Sequence, residues 1–564
     1  MKVLTSDDLL QRLEDLNRVG VSLSKEKDIY RLLENILIAV KNIVNADGGT
    51  LYLIVPKQPK QKDRKLKFEA VDYSNLKDLE LKFEIMRTDS LNLAMGGTTG
   101  EDIKFPPIAL YDDAGKPNNS MVVAYAVLHD QTINIADAYT EQGFDLTGTK
   151  NIDKKTGYRS KSFLTIPMKN HENEIIGVLQ LINAKDRESG EIIAFSATDE
   201  QLAESLASQA AIALTKRQLI DQLEDLFESF ISLINTAIDE KSPYTSRHCE
   251  RVPVLTVMIA EAVNNTKTGP LKDFHMNEKD HYELKIAALL HDCGKVTTPV
   301  HVVDKATKLE AIYDRINLID TRFEVLKRDA EIILLKAKLR VGKDRAAIAN
   351  LEADYRSRIK QLNQDRELLR KTNIGGEFAI EEMLERVREI AAHTWVGIDG
   401  KSTGFLTDDE VENLSIARGT LNDKEREIIN NHVVVTIKML EALPWPKHLR
   451  NVPEFAGGHH ERVDGKGYPN GLKGDKMSVQ ARIMAIADIF EALTAKDRPY
   501  KVGKTLTESL NILGRLKTDG HVDPDIFDVF VRRKVYRDYA IAVKLDPSQI
   551  DIVDETKIPG YSAG

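Results

Sequence analysis

The chain has only two cysteines, Cys249 and Cys293, in 564 residues, so no disulfide framework holds it together and a reducing compartment is expected. It lacks any run approaching the 18 or so consecutive apolar residues of a membrane span. Met1 to Asp8 lack the basic-then-apolar pattern of a secretory signal, and the expected location is cytoplasmic. A basic excess is missing too: 79 Lys and Arg stand against 88 Asp and Glu, a formal net charge of -9. That balance argues against a nucleic acid polymer as partner, whereas a small anionic ligand needs only a local basic pocket. At 63.4 kDa the chain is too long for one core, and two or three domains are expected.

What is present is a scattered set of histidines and carboxylates. His291-Asp292-Cys293-Gly294-Lys295 joins an imidazole to a carboxylate that can bridge two cations. His459-His460-Glu461 follows much later, with Asp464-Gly465-Lys466-Gly467-Tyr468-Pro469 close behind. His248, His432 and Asp488 lie in helical segments on either side. A lone helical histidine is usually a surface or satisfied core residue, and a lone Asp488 would pass for a buried helix partner. Seven such groups together would be costly to bury unless metal neutralised them, and the set predicts a metal-dependent phosphohydrolase.

Apolar residues at helical spacing over 28–44 lead into a strand-like pattern over 48–56. Further strands are expected at 81–85, 120–127, 162–167 and 175–182, giving an antiparallel sheet with flanking helices. This order, with Phe163-Leu164-Thr165-Ile166-Pro167 and Gly177 through Asn183, resembles the GAF family of small-molecule sensor domains over 25–215. The resemblance implies a small ligand of unknown identity. Cyclic-nucleotide-binding members carry Asn-Lys, Phe and Asp-Glu in a scattered signature. Here Phe195 and Asp199-Glu200 match, but Asn183 is followed by Ala184, with Lys185 one place late. Asn183 and Asp199 are therefore read as turn and cap residues. From Asp199 a long helix leaves the domain, with Leu219, Leu223, Leu226, Phe230, Leu233 and Ala237 at steps of four and three. Such a stripe predicts a coiled coil and a homodimer; the alternative is packing against its own domain.

Tyr244-Thr245-Ser246-Arg247-His248, then His291 to Lys295 with Pro299 and Lys305, then His432, then His459 to Pro469, then Ala485 to Thr494 with Arg498-Pro499-Tyr500-Lys501, stand in the order of the HD-GYP family. The chain resembles these bacterial phosphodiesterases of cyclic di-GMP over 235–305 and 415–545. The resemblance implies two divalent ions per subunit, iron or manganese. It assigns His248, His291, Asp292 and Asp488 to one ion and Asp292, His432, His459 and His460 to the other, with Asp292 as bridge. Lys295, one helical turn after His291, is expected to bring its ammonium to the phosphate or the departing oxygen as a catalytic group. Substrate contacts are expected from Lys295, Lys305, Arg498, Lys501 and the loop Gly467-Tyr468-Pro469, whose glycines and proline predict rigid backbone and whose tyrosine could stack on a base. In the family this loop has also been viewed as a docking surface for cyclic di-GMP synthetase domains. Some members hold a third ion through a carboxylate where this chain has Tyr244, so two ions are expected.

More than a hundred residues separate Pro299 from His432, far more than the family uses. Ile312, Ile316, Ile319, Phe323, Leu326, Ala330, Ile333 and Ala337 form one apolar stripe, and Leu351, Tyr355, Leu362 and Leu369 a second beyond the break at Val341-Gly342. Two antiparallel helices joined by a tight turn are predicted, with a further helix over 379–392. The expected organisation is an amino-terminal helix (1–24), a GAF-like domain (25–215), a signalling helix (216–240), a first HD-GYP part (241–305), a helical arm (306–414), a second HD-GYP part (415–545) and a tail (546–564). The fold class is thus multidomain α+β: an antiparallel sheet with flanking helices, then an all-α HD-type bundle carrying an inserted helical hairpin. The expected reaction is hydrolysis of cyclic di-GMP to linear pGpG or on to GMP. A hydrolase of another cyclic dinucleotide and a catalytically silent receptor remain alternatives.

Overall fold

Asp28 accepts the backbone N–H of Arg31 at 2.8 Å and so starts helix α1 (Ile29–Ile43) in the computed structural model of this chain. The structure describes residues 14, 17–22, 26, 28–57, 71–73, 75–241, 247–375, 381–397, 400–496 and 503–562. Of the expected amino-terminal helix, residues 17–22 are helical and most others lie outside the described residues. The chain divides into two compact units, Met1–Ser229 and Phe230–Gly564. No described helix is long and apolar enough to cross a membrane.

In the first unit, strands β1 (Ala46–Pro56), β2 (Leu79–Thr88), β3 (Leu93–Gly96), β4 (Ile108–Ala109), β5 (Ile133–Ile135), β6 (Phe163–Lys169), β7 (Ile175–Lys185) and β8 (Ile192–Ile193) form one antiparallel sheet. Its order is β3-β2-β1-β7-β6-β5, with β4 on β2 and β8 on β7. Alternation along the strands gives two apolar faces. Leu51, Leu53, Ile85, Leu164, Ile166, Leu179 and Leu181 pack with α1 residues Leu33, Ile36 and Leu37. Tyr52, Ile54, Leu81 and Val178 pack on the other side with Val123, Ala124 and Val127.

Those last residues correct the expected strand over 120–127, which is helix α2 (Val122–His129). A short run of valines and alanines reads as a strand when periodicity is the only guide; here burial against the sheet fixes it as helical. Helix α3 (Thr147–Thr156) follows. Asn183, at φ 58° and fully buried, accepts the N–H groups of Lys161 and Ser162 and donates to Tyr158 Oη and Arg159 O. Asp199 accepts from Ser196, and Phe195 lies in the core, so both have structural duties.

Helix α4 (Ala197–Lys241) begins in the first unit and ends in the second. Ala203, Leu206, Ala210 and Leu214 enter the first unit's core. Leu219, Leu223, Leu226, Phe230 and Leu233 are 45–64 % exposed, so the stripe is not buried within its own chain.

The second unit is helical: α5 (His248–Asn264), α6 (Glu278–Leu290), α7 (Ile316–Val341), α8 (Arg345–Asn373), α9 (Glu381–Ala391), α10 (Asp423–Glu441), α11 (Val452–Gly457), α12 (Val479–Thr494), α13 (Leu506–Thr518), α14 (Pro524–Arg532) and α15 (Val535–Ala542). Helices α7 and α8 are the antiparallel hairpin. Lys338 pairs with Glu352 near the turn, and Arg366 with Glu324 and Arg370 with Asp320 toward the base. Gly342 takes φ 64° at the turn, and Asp344 caps α8.

Burial is confined to the base of the hairpin. Ile319, Phe323, Leu362 and Leu369 join Phe405, Val387 and Ile390 in a core of their own, whereas Ile333 is 67 % exposed. Ile312, expected in the buried stripe, precedes α7 and is 96 % exposed. The arm is also not wholly helical, because β9 (Thr394–Val396) pairs with β10 (Ser402–Gly404). The tail packs back on the bundle: Gln549 donates to the carbonyls of Thr494 and Lys504, and Ile558 is buried.

Candidate metal centre

Five segments deliver the seven sequence-predicted donors to one place. His248 is the first residue of α5, His291 caps the carboxyl end of α6 and Asp292 follows it, His432 projects from α10, His459 and His460 follow α11, and Asp488 lies on α12. His248, His291 and Asp488 can bring ligand atoms within 4.8 Å of one another, as can His432, His459 and His460, and as can His291, Asp292 and His459. Asp292 stands between the groups. Its Oδ2 is 3.3 Å from His248 Nε2 and 3.4 Å from His291 Nε2, while its Oδ1 is 3.2 Å from His432 Nε2. Asp488 Oδ1 lies 3.2 Å from His248 Nε2 and 3.9 Å from His291 Nε2.

Donors about 2.0–2.2 Å from a common cation must lie roughly 3.0–3.5 Å apart along the edges of its coordination shell, so most of these separations suit shared ions. A second sign is that Asp292 Oδ1, His432 Nε2 and His459 Nε2 are buried and have no hydrogen-bond partner among the described residues. Buried polar atoms are rarely left so. The residues therefore fit a pair of divalent cations. Burial pushes the thiols of Cys249 and Cys293 up to about 12 and about 11, so neither offers a thiolate.

The outward nitrogens explain why the inward ones face the cluster. His291 Nδ1 lies 2.8 Å from Ala288 O, His459 Nδ1 lies 2.6 Å from Ala456 O, and His432 Nδ1 meets Ile429 O, in each case the carbonyl three residues earlier. Donation to a carbonyl assigns the proton to Nδ1 and leaves the Nε2 lone pair facing inward. His248 Nδ1 instead meets Glu491 Oε2 at 2.5 Å, and Glu491 is 1 % exposed. Sequence reading gave Glu491 no role, although its position one turn after Asp488 on α12 was the available signal. Glu491→Gln is expected to weaken cation binding roughly 10- to 100-fold, as loss of an outer partner does. Titrating metal into the metal-free variant checks this, and unchanged affinity would remove the role.

Burial holds His291 and His459 below the ordinary imidazole range and lowers His460 to about 4. For His248 burial opposes the proton, but hydrogen bonds to Asp292, Asp488 and Glu491 prevail and raise its pKa well above normal. For Asp292 burial is likewise outweighed, by Lys295 and the histidines, and its pKa lies well below normal. Without metal the site thus favours a proton on His248 and disfavours one on His291, His459 and His460. Filling the site should release the His248 proton, since ligands bind deprotonated. Calorimetry in buffers of different ionisation heat reads the release; uptake of ions with no proton released would contradict the assignment.

Profiles of known families match the chain in three stretches: a GAF domain over residues 28–214, an HD domain over 245–371 and a further HD domain over 407–526. A 3'3'-cGAMP-specific phosphodiesterase of Vibrio cholerae is 43 % identical over 131 residues, 23 % of this chain and 29 % of that protein. A cyclic di-GMP phosphodiesterase of Pseudomonas aeruginosa is 33 % identical over 137 residues (24 % and 32 %), and one of Thermotoga maritima 34 % over 114 residues (20 % and 30 %). The chain thus carries a GAF domain followed by HD-domain sequence and is similar to phosphodiesterases of cyclic dinucleotides. The matched stretches span less than a third of each of these relatives.

The loop Gly467-Tyr468-Pro469 closes against this cluster of donors. Glu461, 1 % exposed, accepts the N–H of Asn470 at 2.7 Å and of Leu472 at 2.9 Å, and Tyr468 N donates to His460 O. A Cβ on Gly467 would lie 2.4 Å from Arg462 N, so only glycine allows this approach. The peptide before Pro469 is cis. Tyr468 stacks on His460 with centroids 4.8 Å apart and planes at 22°, so stacking on a base would have to use its other face.

Lys295 Nζ donates to Asp292 Oδ2 at 2.6 Å. Lys305 is elsewhere: its ammonium is buried against Glu425 and Asn413, a tie that anchors the start of α10 rather than a substrate contact. Arg498, Lys501 and Tyr244 lie outside the described residues.

Gly294 sets how closely Asp292 approaches His432. Its N–H donates to Thr436 Oγ1 at 2.9 Å, and an added Cβ would lie 2.0 Å from His432 O and 2.7 Å from Thr436 N. Gly294→Ala must therefore push α10 away. We expect about 1–3 kcal/mol of lost stability, typical of overpacking, together with weakened binding of the ion assigned to His432. Chemical denaturation and metal analysis read the two effects; a variant normal in both would show that the contact is soft.

Proposed function

We propose that this chain is a metal-dependent phosphodiesterase that opens cyclic di-GMP to linear pGpG and on to GMP, under control of the GAF unit. The observation that carries this reading is Asp292, whose Oδ2 faces His248 and His291 while its Oδ1 faces His432. The donor set of histidines with two aspartates suits iron or manganese. When bound, two neighbouring cations supply Lewis acidity and lower the pKa of water for in-line attack on a phosphodiester.

The side chains would divide the remaining work. His248, His291 and Asp488 would hold one ion, His432, His459 and His460 the other, and Asp292 both. Lys295, kept protonated by Asp292 against the opposing effect of burial, would place an ammonium beside the phosphate as negative charge develops. Helix α4 ends at Lys241, whose ammonium donates to the carbonyls of Lys295 and Val296, a route by which a shift of that helix would reach the catalytic lysine. The exposed stripe on α4 supports a parallel coiled coil with a second copy of the chain. A monomer by analytical ultracentrifugation at micromolar concentration would remove that part.

A second reading is hydrolysis of 3'3'-cGAMP, favoured by the 43 % identity to the Vibrio cholerae enzyme. Purified metal-loaded protein offered cyclic di-GMP, 3'3'-cGAMP and cyclic di-AMP separately decides between them. Fastest turnover of cyclic di-GMP is expected; preference for 3'3'-cGAMP establishes the second reading, and turnover of none refutes both.

A further inference from the structure

Thr50 of β1 pairs with Met86 of β2 and Gln180 of β7, and Tyr52 follows on the same face by the two-residue period. With α2 and the start of α3, this face encloses a cavity of about 480 Å3, within the range of small-molecule sites. Aromatic rings form much of its wall: Phe83 lies 4.6 Å from Tyr52 and 5.5 Å from Phe105 between centroids. Met86, Met121 and Val123 add apolar surface, and the polar lining includes Thr50, Thr88 and Gln180. Gln180 is partly engaged, accepting from Tyr52 Oη at 3.3 Å and donating to Thr165 Oγ1 at 3.1 Å.

Charge decides what such a cavity accepts. Among the described residues no lysine, arginine or histidine lines it, whereas the carboxylates Asp145 and Asp153 do. Both carboxylates already serve the fold. Asp153 accepts from Ser160 N, Ser160 Oγ and Tyr139 Oη, and Asp145 accepts from Thr147 N. Lys185, a cation in the same sheet, is tied to Asp47. A phosphate brought here would be desolvated beside carboxylates with no lining cation among the described residues to balance it, which is unfavourable.

We propose that this cavity binds a small molecule without negative charge, with an aromatic or otherwise apolar body and a hydrogen-bonding group for the Thr50, Thr88 and Gln180 region. It does not bind cyclic di-GMP, linear pGpG or a cyclic mononucleotide, so the GAF unit reports on something other than the nucleotide pool. This deepens, and rests on, the reading of that unit as the sensor of the phosphodiesterase.

The fluorescent probe N-phenyl-1-naphthylamine, neutral and apolar, tests the proposal on the whole 564-residue chain. A saturable signal is expected, displaced by indole at roughly tenfold lower concentration than by indole-3-acetate, and not displaced by cyclic GMP or cyclic di-GMP. Met86→Arg places a cation in the lining and Val123→Trp fills the space. Each should weaken the probe by roughly tenfold or more with circular dichroism unchanged, and if Val123→Trp does not fold then Met86→Arg decides.

Absence of a saturable signal in folded wild-type protein overturns the proposal. So does equal binding by the variants, or displacement by a nucleotide or preferentially by indole-3-acetate. Hydrolysis of cyclic di-GMP on the same samples separates the two claims. Turnover without probe binding removes only the ligand assignment, and probe binding without turnover of any cyclic dinucleotide removes only the catalytic reading.

Discussion

Asp292→Ala is expected to lose hydrolysis and to lower the metal content of both sites together. No other side chain in the cluster has one oxygen near His248 and His291 and the other near His432. Its removal takes a ligand from each proposed ion and strips Lys295 of its carboxylate partner. The loss in kcat should be about 10³-fold or more, above the ~10²–10³ that one transition-state donor supplies, because both cations depend on this group. Elemental analysis and product chromatography on the same preparation give the two numbers. Loss of one ion with substantial turnover would mean that Asp292 serves a single site.

Lys295→Ala is expected to separate what Asp292→Ala joins. The ammonium touches Asp292 Oδ2 but belongs to none of the clustered donor groups, so metal content should remain near wild type. If it meets the phosphate as charge develops, kcat should fall ~10²-fold or more with a smaller change in KM. A fall in metal content instead would make Lys295 a support for Asp292 and not a catalytic residue.

The two variants probe features that the sequence made legible to different degrees. Adjacent His-Asp and His-His pairs marked the cluster directly, and strands such as β6 and β7 announced themselves through apolar runs between turn residues. Helix α2 did not, because a short run of valine and alanine satisfies helix and strand alike until packing against Tyr52 and Leu81 decides. The carbonyls of Ala288, Ile429 and Ala456 that orient three histidines belong to the backbone and leave no mark in residue identity. Glu491 was visible as a letter but not as a partner of His248, 243 positions away. Lys305 erred the other way: motif position suggested a ligand contact, and a buried pair with Glu425 claimed the side chain. In the arm both apolar stripes were legible, but how much of each is covered depends on Phe405 and its neighbours, which pack only at the hairpin's base.

Stepwise addition of manganese or ferrous iron to metal-free protein under anaerobic conditions, with cyclic di-GMP turnover followed at each step, tests the central claim most directly. The account predicts two equivalents bound per chain, with turnover appearing as the second is taken up. Saturation at one equivalent, or a fully loaded protein that never opens the ring, would contradict it.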